Sequence, residues 1–513
     1  MLKQTSAIWV TVLLVVLSLF PGVLRGQVNV SFDSNSISVL TWNGINFLGD
    51  AQAVMESVDF CSVPGDPQPG ATTALTTVDP QNSMVTQQFG WGSVRTWYRA
   101  SGDNLAISIQ VTNSDSRPLC QLVYRPLHFT FPQPPPEFDT GNPPVVQNSG
   151  APSVLQFSFG SGVMILANQD TIKPLIVGLP WIDPPLGYPL KINTGRNPMY
   201  PGSFPYIDRP IQPGATDQYD LSIRFGPPGT TKDTLATDLY RTFAAEHPPL
   251  VDWPDRRPFG DTFVASLAGR SPSNPRAYFG DPSLDVFSPQ GLADFRQRFL
   301  DLADRIVSVM GAMNGQGVIA WDMEGYEFPQ AAYVGDPMML PSLAPEMDGV
   351  ADEFFARLRG AGLKVGMTIR MQQAQFQPDG SLVQVQLPPD QSVGRLVSRI
   401  QYAQNRWGAT IFYIDSNDYF DSDIFRQVAT AAPGVLLIPE HSQLMHYAYG
   451  APYIDARNAD PCTPADVRKI YPAAFSVVNF VDLSTYYARY DKAKQCGETD
   501  LFRGSFSDGE VAR

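Results

Sequence analysis

The chain has 513 residues, of which 43% are hydrophobic, 17% charged and 11% aromatic. That is long enough for more than one domain, and the composition is globular rather than disordered. A formal net charge of −14 argues against general affinity for nucleic acid or anionic lipid and suits neutral substrates.

The N-terminus reads MLKQTSAIWVTVLLVVLSLFPGVLRGQ. Lys3 precedes an apolar run from Ala7 to Phe20, Pro21 breaks it, and small Gly26 stands before Gln27. This is the pattern of a secretory signal peptide over residues 1–26, and the run is short for a bilayer span. An uncleaved N-terminal anchor is the alternative. The pattern implies an exported protein (periplasmic, cell-surface or secreted) with no stable membrane insertion after processing. Four cysteines in an exported chain suggest disulfides, and loop closure favours Cys61–Cys120 and Cys462–Cys496. No CxxC pair points to zinc or redox chemistry.

Residues 27–245 show no convincing helical periodicity. VNVSF, ISVLTW, SVRTWYRA, LAISIQVTN, LCQLVYRPLHFTF, VLQFSF, GVMILAN and YDLSIRF alternate or are rich in β-formers, with polar turn clusters between them. This predicts a β-sandwich and admits a supersandwich of the galactose-mutarotase kind. The proline-rich piece from Phe131 to Pro144 cannot sit in a sheet centre.

After the linker EHPPLVDWPDRRP, over residues 246–513, strands alternate with helices. Strands are expected at 263–267, 318–321, 363–370, 410–415, 435–440 and 475–482. An amphipathic helix runs from Ser288-Pro289 to Gly315, with Leu292, Phe295, Phe299, Leu302, Ile306, Val309 and Met313 on one face. Further helices fall near 346–359, 391–407 and 422–431. The reading is an N-terminal β-sandwich followed by a (β/α)8-like, TIM-type barrel with two strands unassigned. An open doubly wound sheet is the alternative. No nucleotide-binding glycine motif follows a strand, and no cofactor is implied.

In such a barrel the site lies at the C-terminal strand ends. Here each end is polar: Arg270, Asn274 and Arg276 after the first expected strand, then Asp322 and Glu324, Arg370 and Gln372, Asp415 and Asn417, Glu440 and His441, and finally Asn479 and Asp482. Trp321, Tyr326, Tyr413, Tyr419 and Tyr447 stand nearby. Carboxylate pairs with aromatic platforms suit carbohydrate chemistry, in which one carboxyl protonates the leaving oxygen and a second acts as nucleophile or base.

The sandwich-then-barrel order and FYIDSND resemble the retaining α-glycosidase clan of α-galactosidases and the α-glucosidase/α-xylosidase group. That likeness implies a nucleophile at Asp415 and, from FVDLS, an acid/base at Asp482. NPRAYFGD, GQGVIAWDMEGYEFP and LAPEM also resemble a group of exported bacterial (β/α)-barrel proteins of unassigned activity.

If strand alternation persists, Asp322 and Glu324 share a face, as an acid, a two-oxygen cation site, or partners of Arg270, Arg276 or Arg370. Glu327 lies beyond Gly325, where solvation accounts for it. His441 and His446 are not spaced for a zinc site, and Asp418, Asp421 and Asp423 lack the glycine and glutamate of a calcium loop.

The leading expectation is an exported glycoside hydrolase-like enzyme acting on an oligo- or polysaccharide. Asp415 is its nucleophile and Glu440 or Asp482 its acid/base. Trp321, Asp322, Glu324, Arg370, Gln372, Asn417 and His441 hold the sugar. On this reading Asp415→Asn removes turnover with little effect on melting. The alternatives are a non-catalytic carbohydrate-binding surface protein on the same scaffold, and a metal-dependent hydrolase built on Asp322, Glu324 and Asp415.

Overall fold

A computed structural model describes residues 26–504, apart from 50–52, 61–67, 70–74, 132–136, 139–144, 147–153, 169–175, 179–187, 194–209, 326–332, 380, 418–421, 442–443, 458 and 481–482. Among the described residues no helix is long and apolar enough to cross a membrane.

The N-terminal part is antiparallel. A six-stranded sheet centred on Leu119–Phe129 faces an eight-stranded sheet centred on Thr216–Gly226 and Asn104–Asn113, and a small three-stranded sheet joins them. Alternation builds the core. In Asn104–Asn113, Leu105, Ile107, Ile109 and Val111 are fully buried while their neighbours are half-exposed. They meet Val58, Leu122, Leu127 and Ile192 of the other sheet in one apolar cluster, the packing of a sandwich. The Tyr98 hydroxyl donates to the Pro126 carbonyl at 2.7 Å across this core. Within the proline-rich piece, among the described residues, Glu137–Phe138 is paired as an edge strand on Phe157 and Ser158.

The sandwich region is followed by a helix the sequence pattern conceals, Lys232–Glu246, capped by Thr231. Its buried stripe, Ala236, Leu239, Tyr240 and Phe243, is short and set in a polar sequence. It packs between Val154, Ile165 and Ala167 of the sandwich and Val467 and Ile470 of the barrel. Ion pairs Lys232–Asp466 at 3.1 Å and Asp233–Lys469 at 3.2 Å flank it.

The barrel has eight parallel strands in chain order: Phe259–Phe263, Gly317–Trp321, Lys364–Arg370, Ile411–Asp415, Leu436–Pro439, Tyr453–Asp455, Val477–Phe480 and Thr499–Arg503. Each pairs with the next except that the fifth and sixth form no ladder, and the first pairs in parallel with the eighth, which sets the open doubly wound alternative aside. Between the fifth and sixth, the Ala451 N–H, two residues before strand six, donates to the Leu437 carbonyl of strand five at 2.9 Å.

Two expectations are corrected here, and two strands left unassigned are located. Strand one is 259–263, not 263–267, because it carries Gly260 and an inward, fully buried Asp261 that break the apolar pattern. The two unassigned strands are Tyr453–Asp455 and Thr499–Arg503, one only three residues long and the other partly polar. The strand expected at 475–482 is therefore the seventh, not the sixth.

Inward side chains Phe259, Ile319, Trp321, Ile411, Tyr413, Leu436, Ile438, Val477 and Leu501 fill the barrel. The alternate residues Val318, Ala320, Val365, Met367, Phe412 and Ile414 pack outward on the helices. The helix Pro289–Ala312 starts at Ser288, whose hydroxyl accepts the Gly291 N–H at 3.1 Å. The Cys462–Cys496 disulfide is present, while Cys61 lies outside the described residues.

Candidate active site

The inward row that is apolar within the barrel becomes charged at its C-terminal mouth. Arg370 ends strand three and Asp415 ends strand four, as direct register partners. Arg370 Nε donates to Asp415 Oδ2 at 2.6 Å, with both side chains nearly buried. The guanidinium also lies 4.4 Å from the Tyr333 ring centroid and donates to the Tyr333 carbonyl at 3.3 Å. Burial, with the Asp415 charge beside it, pushes the Tyr333 hydroxyl well above its usual range.

The loop carrying Tyr333 is pressed onto strand three. The Arg370 N–H donates to the Gly335 carbonyl at 3.0 Å. Gly335 has φ +65°, and a Cβ there would meet Arg370 Cγ at 2.9 Å, so this close approach requires glycine.

Ser416 turns the chain out of strand four at φ +52°. It joins two carboxyls: its hydroxyl donates to Asp415 Oδ2 at 3.1 Å and its N–H to Glu440 Oε2 at 2.7 Å. Burial together with the Asp415 charge raises the Glu440 pKa to about 7. Its side chain stays 28% exposed, with His441 Nε2 3.7 Å away. Asp322, at the end of strand two, also has positive φ, +54°. Non-glycine residues in this region cost about 1 kcal/mol or more and gather at functional sites.

Strand two ends at Trp321, so Asp322 and Glu324 occupy a turn closed by the Gly325 N–H on the Asp322 carbonyl, 2.7 Å. The shared face expected from alternation does not exist. Asp322 is buried, and its charge reaches Tyr333. Glu324 instead accepts the Asp336 N–H at 3.0 Å. Its pKa rises to about 7 through burial, reinforced by the Asp336 charge.

Asp336 pairs with Arg399 at 2.8 Å, both essentially buried. Arg399 also donates to the carbonyls of Arg370 and Gln372. Among the described residues no three His, Cys, Asp or Glu side chains converge to hold a metal ion, so Asp322, Glu324 and Asp415 do not form the cation site of the metal-hydrolase alternative.

Other expected sugar contacts are spent inside the protein. The Gln372 amide donates to the Ser416 carbonyl. Asn417 is fully buried, donates to the His441 carbonyl at 2.9 Å and accepts the His441 N–H at 2.8 Å, stapling strand four to strand five. Trp321 is 7% exposed, between Tyr333 and Tyr413. Tyr447 bonds Ser476, at the start rather than the end of strand seven. His446 is buried against Phe425, and burial drives its pKa down to about 3. Asp482, Tyr326, Glu327, Asp418, Tyr419 and Asp421 lie outside the described residues. Asp482 follows strand seven, and the sixth strand ends at Asp455.

Three mouth residues go unsignalled in the sequence. Phe263 is 37% exposed and stacks on Trp321 at 4.9 Å; the four-residue shift in strand one hides it. Tyr333 sits in a loop with no periodicity. Tyr453, on a three-residue strand, packs edge-on against Tyr413 at 5.3 Å and accepts from Asn479 Nδ2 at 2.8 Å.

No protein-family model matches the chain, and no curated protein sequence matches it. Among solved structures the chain is similar to a GH31 family sulfoquinovosidase from E. rectale, at 9% identity over 88% of this chain and 73% of that one, TM-score 0.45. A beta-arabinopyranosidase is similar at 9% identity over 84% and 68%, TM-score 0.38. An alpha-L-fucosidase from Lactobacillus casei is similar at 13% identity over 48% and 88%, TM-score 0.30. These likenesses are too loose to bear on fold or reaction.

Proposed function

We propose that the chain is an exported glycoside hydrolase-like enzyme whose working pair is Asp415 and Glu440. The supporting observation is the contrast between these neighbouring carboxyls. Asp415 is bonded by Arg370 and the Ser416 hydroxyl, which hold its carboxyl in place. Glu440, with a pKa near 7, keeps a proton to give at neutral pH. Glu324 is raised as far but is fully buried and bonded to Asp336, so a substrate reaches Glu440 and not Glu324.

In this reading Glu440 protonates the leaving glycosidic oxygen while Asp415 attacks or stabilises the anomeric centre. Glu440 then takes the proton from the incoming water. Phe263, exposed and backed by Trp321, offers a face for a sugar ring, and Arg370 holds Asp415 rather than the sugar. Export rests on the N-terminal pattern of residues 1–26.

The bonds that Ser416 already makes to both carboxyls support a second reading. On that reading the two carboxyls are spent on Ser416, and the mouth binds glycans without cleaving them. A panel of aryl glycosides and plant and bacterial polysaccharides, incubated with wild type and Asp415→Asn, separates the two. Released product that vanishes in the variant supports hydrolysis. Glycan binding with no product from wild type supports the binding protein.

A further inference from the structure

The outer face of the eight-stranded sandwich sheet is covered only in part. Helix Lys232–Glu246 packs on Val154, Ile165 and Ala167. Toward the other edge, the strands Met84–Phe89 and Gly92–Ser101 keep an open face. Along Gly92–Ser101, Val94, Thr96 and Tyr98 are buried inward, so Arg95, Trp97 and Arg99 point outward, both arginines exposed and Trp97 half-exposed.

A pocket of about 410 Å³ opens there, lined by Gln81, Asn82, Ser83, Met84, Trp97 and Arg99. Its wall is a fixed turn. Asn82 donates to Asp79 through its N–H at 3.2 Å and its Nδ2 at 2.7 Å, and the Ser83 carbonyl accepts the Tyr98 N–H at 2.8 Å. The Arg99 guanidinium lies 5.8 Å from the Trp97 ring centroid. The Asp220 carboxylate, two strands away, accepts from Ser108 and Gln218. Two cations thus flank a half-exposed aromatic ring on a chain of net charge −14.

We propose that this pocket is a second saccharide site, separate from the barrel mouth, for an anionic sugar unit of a polysaccharide. The sugar's C–H face lies on Trp97, its carboxylate or sulfate meets Arg99 and Arg95, and its hydroxyls meet Gln81 and Asn82. A bare hydrophobic patch would serve neutral sugars as well; the paired arginines supply the charge complementarity that selects acidic ones.

Binding is tested by affinity electrophoresis of the Asp415→Asn protein in gels containing polygalacturonate, chondroitin sulfate, neutral galactan or a thymidine oligonucleotide. Retardation is expected from at least one acidic polysaccharide, reversed at about 0.5 M salt. It should weaken roughly tenfold in Trp97→Ala and in the Arg95→Gln/Arg99→Gln double variant, at unchanged melting temperature. The proposal is overturned if neither acidic polysaccharide retards the protein, if the variants bind as wild type does, or if galactan or the oligonucleotide is bound as strongly. Turnover plays no part in the readout, so failure of the barrel assignment leaves this result interpretable.

Discussion

Arg370 and Asp415 face each other in register across strands three and four, Nε to Oδ2 at 2.6 Å, with side chains 13% and 9% exposed. A pair this dry is held by mutual dependence: taking one charge away leaves the other uncompensated.

Asp415→Asn therefore costs stability as well as activity, against the expectation from sequence that melting would hardly change. The loss should be about 3 kcal/mol in urea unfolding at neutral pH. An unchanged midpoint would show that Arg370 draws no support from Asp415.

Arg399 carries a second dependence. It joins Asp336 to the carbonyls of Arg370 and Gln372 from a fully buried position. Arg399→Leu leaves Asp336 charged and unpaired and two carbonyls without a donor. The cost should be about 3–5 kcal/mol, and Arg399→Lys should recover little, since one ammonium cannot span three acceptors. Thermal unfolding of both variants checks this, and a loss below about 1 kcal/mol would refute it.

Much of this barrel is legible from periodicity. The strands ending at Trp321, Arg370 and Asp415 are largely apolar runs that end in, or run directly into, a charged residue, and the helix Pro289–Ala312 has a clear stripe and a Ser-Pro start. Asp415 and Glu440 are visible for the same reason, as carboxylates where apolar runs stop. Strand one is hidden because Asp261 points into the barrel, and strand six because three residues hold too little pattern.

What the side chains touch is not in the pattern at all. Asn417 and Glu440 follow neighbouring strand ends, yet Asn417 is consumed by the His441 backbone while Glu440 stays partly open. Only the tertiary arrangement separates them. The positive φ at Asp322 likewise breaks an alternation that the sequence alone predicts.

Glu324 gives a pH dependence with a defined sign. Its folded pKa, about 7, stands above its ordinary value of 4.5 because burial penalises the charged form. Its contribution is therefore fully present below about pH 4.5 and is lost as pH rises through 7. Glu324→Gln removes the titration, so its stability relative to wild type should climb between pH 5 and 8, by at most about 3 kcal/mol. Melting curves across that range test it; a constant difference would mean Glu324 does not change protonation there.

The central claim is that Glu440 is the proton donor beside Asp415. On the aryl glycosides that the enzyme hydrolyses, wild-type kcat/KM should fall as pH rises through about 7, the value to which burial and Asp415 raise Glu440. Glu440→Gln should lose roughly a hundredfold or more on poor leaving groups, far less on activated ones, and lose the fall near pH 7. The same alkaline limb in wild type and Glu440→Gln, with equal losses on good and poor leaving groups, would contradict the account.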